Sequence, residues 1–86
     1  MKVLFHRSFK KRHKKVPIKI HHQFNGRLFI FKKELFNPIL NNHPLSGDRD
    51  GQWTININGD WRAVYIFQDK ETVIFIDLDT HGNLYK

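Results

Sequence analysis

Apolar positions along the chain of 86 residues follow two different periods. Ile20, Phe24, Leu28, Phe31 and Leu35 recur at helical spacings of four, four, three and four, the repeat that places side chains on one helix face. They predict a helix from about Pro17 to Phe36. Pro17 suits the first turn, and Asn37-Pro38 ends the helix because the residue before proline leaves the helical region. Asn25-Gly26, between Ile18–Phe24 and Leu28–Phe31, would also suit a hairpin. A glycine inside a helix costs roughly 1 kcal/mol relative to alanine, but five in-phase apolar residues outweigh one dipeptide. Ahead of this helix, Ser8 is a candidate N-cap for a helix through Phe9 to about Lys15. That run is almost wholly basic, with Phe9 and His13 alone able to face a core, so it needs tertiary packing to persist. Lys2–Phe5 reads as a short edge strand.

The second half is strand-like. Trp53–Ile57, Trp61–Phe67 and Thr72–Leu78 are separated by Asn58-Gly59 and by Gln68-Asp69-Lys70-Glu71. Asn-Gly between two such runs predicts a tight turn with positive φ. Side-chain alternation would then aim Asp60 and Arg62 one way and Trp61 the other. In the last strand it puts Ile74, Ile76 and Leu78 on one face and Val73, Phe75 and Asp77 on the opposite face. Residues 37–52 form a polar connector. The order strand, two helices, three-strand meander predicts one α+β domain over residues 1–86, with helices on one face of a mainly antiparallel sheet.

Charge changes the picture by its placement. Residues 1–43 hold eleven Lys and Arg against the single acid Glu34, a formal +10, whereas residues 44–86 hold four against seven acids, a formal −3, within a net +7. A cationic half favours a polyanionic partner such as nucleic acid, with Lys10, Lys11, Arg12, Lys14 and Lys15 its densest stretch. There is no cysteine, which removes disulfides and thiolate metal sites and fits a reducing compartment. No run approaches the ~18 apolar residues of a membrane helix, and Met1–Phe5 is too short for the core of a signal peptide. A soluble cytoplasmic protein without membrane association is the expectation.

The residues able to do chemistry are dispersed. His43 lies in the connector, Asp60 and Arg62 flank Trp61, His81 follows the last strand and Tyr85 comes four residues later. In a meander, the start of the second strand and the end of the third share one edge, so Asp60 and His81 come within reach. His43 joins them if the connector folds back. RNA is cut without a metal when a base takes the 2′-hydroxyl proton, an acid protonates the 5′-oxygen and a cation steadies the phosphate. Histidines titrate in the range those transfers need, and arginine grips phosphate with a fixed fork of donors. Trp61 or Tyr85 could stack on a base. Each residue also has an ordinary reading as a loop histidine, a strand-end cap, a surface ion pair or an aromatic plug. His21-His22 would diverge on a helix, no zinc-binding spacing is present, and no cofactor is implied. Neither Ser8 nor Ser46 sits in a nucleophile elbow.

Three segments, Asn42-His43-Pro44-Leu45-Ser46-Gly47, Ile55 through Tyr65 with Gly59-Asp60-Trp61-Arg62 at its centre, and Asp79-Thr80-His81-Gly82-Asn83-Leu84-Tyr85, together resemble the RelE/ParE toxin superfamily, in particular its RelE/StbE and YafQ-like branch. The resemblance runs in order over essentially the whole chain, and the set of HxLxG, GDWR and THxxLY is more specific than any one piece. It implies a β-α-α-β-β-β microbial RNase-like fold with a helical hairpin on the sheet. It implies an mRNA interferase, the toxin of a type II toxin–antitoxin system, that cuts mRNA in the ribosomal A site. It implies partners too: the ribosome, mRNA and a cognate antitoxin, whose toxin-binding arm should be acidic to cover a cationic surface. His43, Asp60, His81 and Tyr85 match the family's motif positions, and Arg62 an arginine expected on phosphate. Asn56 stands where YafQ-like relatives often place a histidine; it can hydrogen-bond RNA but cannot shuttle protons. Gln52 and Trp53 stand where many relatives have an arginine. Proton transfer would therefore fall to His43, His81 and Asp60. Two rival readings are a non-catalytic gyrase inhibitor on the same scaffold and a degraded toxin that only binds its antitoxin.

Overall fold

The computed structural model describes residues 1–85. Its elements are β1 (Lys2–Phe5), α1 (Arg7–His13), α2 (Ile18–Lys33), β2 (His43–Pro44), β3 (Trp53–Asn56), β4 (Trp61–Asp69), β5 (Thr72–Thr80) and α3 (His81–Leu84), with single 3₁₀ turns at Pro38–Leu40 and Gly47–Arg49. The strands form one sheet in the order β1-β5-β4-β3-β2. β1 runs parallel to β5 and every other pairing is antiparallel. The predicted α+β architecture is borne out, with two additions: β2 inside the connector, and α3.

The helical face of α2 is as the spacing predicts. Ile20, Phe24 and Phe31 are buried, while Leu28 and Leu35 pack partly buried against the same core. Asn25-Gly26 lies within the helix and makes no hairpin. The helix stops at Lys33, three residues short of Phe36. Glu34 is already extended, and Asn37 competes for the chain: its amide donates to Glu34 at 2.8 Å, and its side-chain oxygen caps the 3₁₀ turn through Ile39 N–H at 3.0 Å. α1 ends at His13, not Lys15, and His6 supplies its N-cap, Nδ1 accepting from Ser8 N–H at 3.0 Å. The Ser8 hydroxyl donates elsewhere, to the Ile76 carbonyl at 2.6 Å. β1 pairs with β5 only as far as Phe5 opposite Phe75. Beyond it α1 covers the open edge of β5 through Ser8 and through Arg12, which bonds Asp79 at 3.0 Å. That cover satisfies an edge that would otherwise invite pairing with another chain.

A cluster of phenylalanines fills the space between the helices and the sheet: Phe9, Phe24 and Phe75 lie 5.2–5.8 Å apart, and Phe31 meets Tyr65 at 5.1 Å and Phe75 at 5.5 Å. Strict alternation fails at one point in β5. Val64 pairs with Asp77 but Tyr65 pairs with Phe75, leaving Ile76 as a bulge. A bulge resets the two-residue period, so Leu78 joins Val73 and Phe75 in the core and not Ile74 and Ile76. β4 and β5 each run two residues past their predicted ends, to Asp69 and Thr80.

The Asn58-Gly59 connection also differs from expectation. Neither residue has positive φ; among the described residues only Asn41, Gly47 and Gly51 do. The loop is fastened by the Asn58 side chain, whose oxygen accepts from Asp60 N–H at 2.9 Å and Trp61 N–H at 2.8 Å. An asparagine that bonds the backbone two and three residues on builds the turn without a left-handed residue. No helix among the described residues is long and apolar enough to cross a membrane.

Candidate active site

The face of the sheet away from α2 carries Thr54, Val64 and Asp77. The connector and α3 lie over this region and enclose a cleft of about 540 Å³ lined by Asn41, His43, Pro44, Leu45, Ser46, Arg62, His81 and Tyr85. Four of the five residues singled out as catalytic are therefore brought together from a connector, a strand and a terminal helix.

The connector folds back because β2 pairs with β3, His43 opposite Thr54 and Pro44 opposite Trp53. Core packing fixes its approach. The Tyr65 hydroxyl donates to the Asn42 side-chain oxygen at 2.8 Å, and the Asn42 amide donates to the Leu35 carbonyl at 2.9 Å. Burial pushes the Tyr65 phenol up to about 12, against a smaller opposing effect of the Asn42 bond, so it stays a donor at neutral pH. His43 Nδ1 lies 2.6 Å from the Asn41 carbonyl. A carbonyl only accepts, so Nδ1 carries the proton and Nε2 is the nitrogen left to exchange one. Asn41 offers that carbonyl from a left-handed conformation, φ 46° and ψ 44°, which asparagine tolerates better than most residues.

α3 provides the other wall. Thr80 caps it, its hydroxyl oxygen accepting from Asn83 N–H at 3.3 Å, and Asn83 donates to Asp79 at 3.0 Å. The His81 N–H donates to the Asp60 carbonyl at 2.8 Å. His81 and Tyr85, one turn apart, touch with their rings tilted at 58° and centroids 4.6 Å apart.

Arg62 reaches the cleft from β4 with its guanidinium folded over the turn, donating to the carbonyls of Asn58 at 2.9 Å, Trp61 at 3.0 Å and Gly59 at 3.4 Å. No carboxylate lies within ion-pair distance of it among the described residues. Neutral carbonyls orient the guanidinium without cancelling its charge.

Other predicted residues lie elsewhere. Asp60 sits in the turn and its exposed carboxylate does not line the cleft, although its carbonyl anchors His81. Asp60 and Arg62 form no ion pair. Trp61 is half-buried against the core, and the buried Asn56 side-chain oxygen has no hydrogen-bond partner among the described residues. The cations of α1 split between two surfaces. Lys10 and Lys14 border an apolar groove with Phe5, Phe9, His13 and Leu28, whereas Lys11, Arg12 and Lys15 line a small pocket with Ser8. Arg12 is already paired, 3.0 Å from Asp79 and 3.8 Å from Asp77. Sequence reasoning missed Asn41 and Arg49. The available signals were an asparagine pair preceding His43 and the single cation of residues 37–52. Among the described residues, no cluster of three or more His, Cys, Asp or Glu side chains is arranged to hold a metal ion.

The α+β scaffold that brings His43, His81, Tyr85 and Arg62 to this cleft has a known fold. The structure superposes on YafQ from Escherichia coli strain BL21(DE3) with a TM-score of 0.77 at 19% identity, covering 98% of this chain and 97% of that one. It superposes on the RelBE2 toxin–antitoxin complex of Mycobacterium tuberculosis with a TM-score of 0.74 at 21% identity, covering 93% and 96%. In sequence it is similar to the endoribonuclease HigB of Proteus vulgaris, 38% identical over 48 residues. That match spans 56% of this chain and about half, 52%, of the relative's length. No family model matches. The fold expected from the motif resemblance is borne out by these toxin structures, and the sequence similarity to HigB agrees with it over the 48 residues matched.

Proposed function

We propose that this chain is the toxin of a type II toxin–antitoxin system, an endoribonuclease that cuts mRNA in the ribosomal A site. The observation that carries the reading is the convergence of His43, Arg62, His81 and Tyr85 on one cleft. The similarity to an endoribonuclease HigB and to solved toxin–antitoxin complexes supports it.

The chemistry is metal-independent transfer through the 2′-hydroxyl. One histidine removes the 2′-hydroxyl proton, the oxygen attacks the adjacent phosphorus, and the second histidine protonates the departing 5′-oxygen. The products are a 2′,3′-cyclic phosphate and a 5′-hydroxyl. His43 acts through Nε2, since Nδ1 is engaged by Asn41. Arg62 stabilises charge developing on the phosphate oxygens, and Tyr85, against His81, stacks on or orients a base. Asp60 holds His81 through its backbone carbonyl. The α1 lysines bind ribosomal RNA, and a cognate antitoxin with an acidic arm covers this cationic surface in the cytoplasm.

Programmed ribosomes test the reading. The protein should yield new mRNA 5′ ends in the A-site codon, and a 2′-deoxy substitution at the scissile nucleotide should abolish them. His43→Ala and His81→Ala should each lower cleavage by ~10²–10⁴-fold without unfolding the domain. Intact message in the presence of folded protein would refute the proposal; DNA-damage signalling instead would point to gyrase inhibition.

A further inference from the structure

Arg49 takes no part in the chemistry above, yet it touches three of the elements that frame the cleft. It lies at the end of the 3₁₀ turn Gly47–Arg49, three residues beyond the cleft-lining Ser46. Its side chain is only 26% exposed. Nη1 donates to the Gln52 side chain at 2.8 Å, Nη2 to Asp77 on β5 at 3.3 Å, and Nε to the Leu84 carbonyl, the last residue of α3, at 3.3 Å. The loop that presents it is shaped for this. Gly47 and Gly51 adopt positive φ of 65° and 89°, and Leu45 N–H closes the loop onto the Gln52 carbonyl at 2.8 Å.

α3 has four residues, too few to persist alone. A cation on a carbonyl at a helix C-terminus satisfies an acceptor the helix itself cannot. In the native chain α3 is held at its start by Thr80 and the Asp60 carbonyl, and at its end by Leu84 and by Arg49. His81 lies at the first of these ends and Tyr85 immediately beyond the second.

We propose that Arg49 is a positioning residue: by tying the connector that bears His43 to β5 and to the end of α3, it sets the separation of His43 from His81 and Tyr85 across the cleft. The inference rests on the ribonuclease reading for its effect on rate but not for its effect on structure. Small displacements of reacting groups cost up to ~10²-fold in rate.

The test compares wild type with Arg49→Ala and Arg49→Lys on programmed ribosomes, alongside amide hydrogen exchange at Asn83 and Tyr85. Arg49→Ala should lower kcat by ~10–100-fold with KM within about twofold. It should speed exchange at Tyr85 by ~10-fold while β4 and β5 amides exchange as before. Arg49→Lys, which keeps a cation but not the fork, should recover part of both losses. Unchanged exchange at Tyr85, or exchange that rises equally throughout the sheet, overturns the proposal. So does a kcat equal to wild type. If wild type itself cleaves no message, the ribonuclease reading fails, and the exchange measurement still decides whether Arg49 holds α3.

Discussion

The Asn58–Asp60 loop offers a sharp test because two ways of building it predict opposite outcomes. A tight Asn-Gly turn relies on positive φ, so replacing Gly59 by alanine would cost ~1–2 kcal/mol. In the structure Gly59 has no positive φ, and a Cβ there meets nothing within 4 Å. Gly59→Ala should therefore be neutral or stabilise by ~0.4–1 kcal/mol, through the smaller entropy of the unfolded chain. Asn58 carries the loop instead. Its oxygen accepts from Asp60 and Trp61 N–H, and its amide donates to Gln23 at 2.7 Å. At ~0.5–1.5 kcal/mol net per bond, with partial replacement by water, Asn58→Ala should cost about 2 kcal/mol. Asn58→Asp keeps both acceptor bonds and should cost about half as much. The assay is urea denaturation with the slope held common, supported by thermal melts, in which 2 kcal/mol corresponds to ~8–16 °C for a domain of this size. A loss above ~1 kcal/mol in Gly59→Ala, or below ~0.5 kcal/mol in Asn58→Ala, would refute the reasoning.

Three further outcomes follow from the same structure. His13 is held below its ordinary value by burial and, secondarily, by the charge of His21, whose ring lies 4.1 Å away. The unfolded chain then binds the proton first, so stability is full above ~6.5 and falls as pH drops from there through the folded value; His13→Gln should flatten that part of the stability–pH curve. Tyr65→Phe removes the hydroxyl that holds Asn42 and should cost ~1–2 kcal/mol in denaturant; wild type alone should also lose stability as pH rises from 10 towards 12, because the buried phenol ionises after the unfolded one. Lys11→Ala and Lys15→Ala should each reduce the salt dependence of RNA binding by about one ion, with little change in sequence preference, measured by binding at several salt concentrations.

Most of the fold was legible because long-range order here follows local pattern. Five in-phase apolar residues dictated α2 despite Asn25-Gly26, and three β-patterned runs dictated the meander. What escaped was set by competition between bonds that a linear pattern does not contain. The Ile76 bulge reverses the facing of Leu78 and Asp77, and no residue at that point announces it. His6 displaces Ser8 as a cap only because Ser8 finds the Ile76 carbonyl. Asn58-Gly59 carries the signature of a left-handed turn, but a four-residue loop lets the Asn58 side chain do the work. The cleft was legible as far as its residue types: His43, Arg62, His81 and Tyr85 line it, whereas the carboxylate of Asp60 does not.

Among the described residues, the placement of arginines explains how Arg62 reaches the cleft without an ion-pair partner. Arg12 and Arg49 both reach Asp77, and Arg12 also reaches Asp79. Those two acids lie on β5, where the bulge at Ile76 has shifted the register and α1 and the connector approach. Their ion pairs hold elements in place and are spent on structure. Arg62 on β4 lies opposite Asp79, but its guanidinium turns back onto the carbonyls of Asn58, Gly59 and Trp61. A carbonyl directs a guanidinium at little cost to its charge, whereas a carboxylate would cancel most of the field a phosphate must feel. The cleft thus receives a preoriented cation that has no ion-pair partner among the described residues. An acid introduced into the same cleft should offset that charge: Ser46→Asp, another lining position, should weaken phosphate binding and cleavage together while leaving denaturant stability within about 0.5 kcal/mol. Unchanged cleavage in that variant would show that Arg62 does not face the substrate.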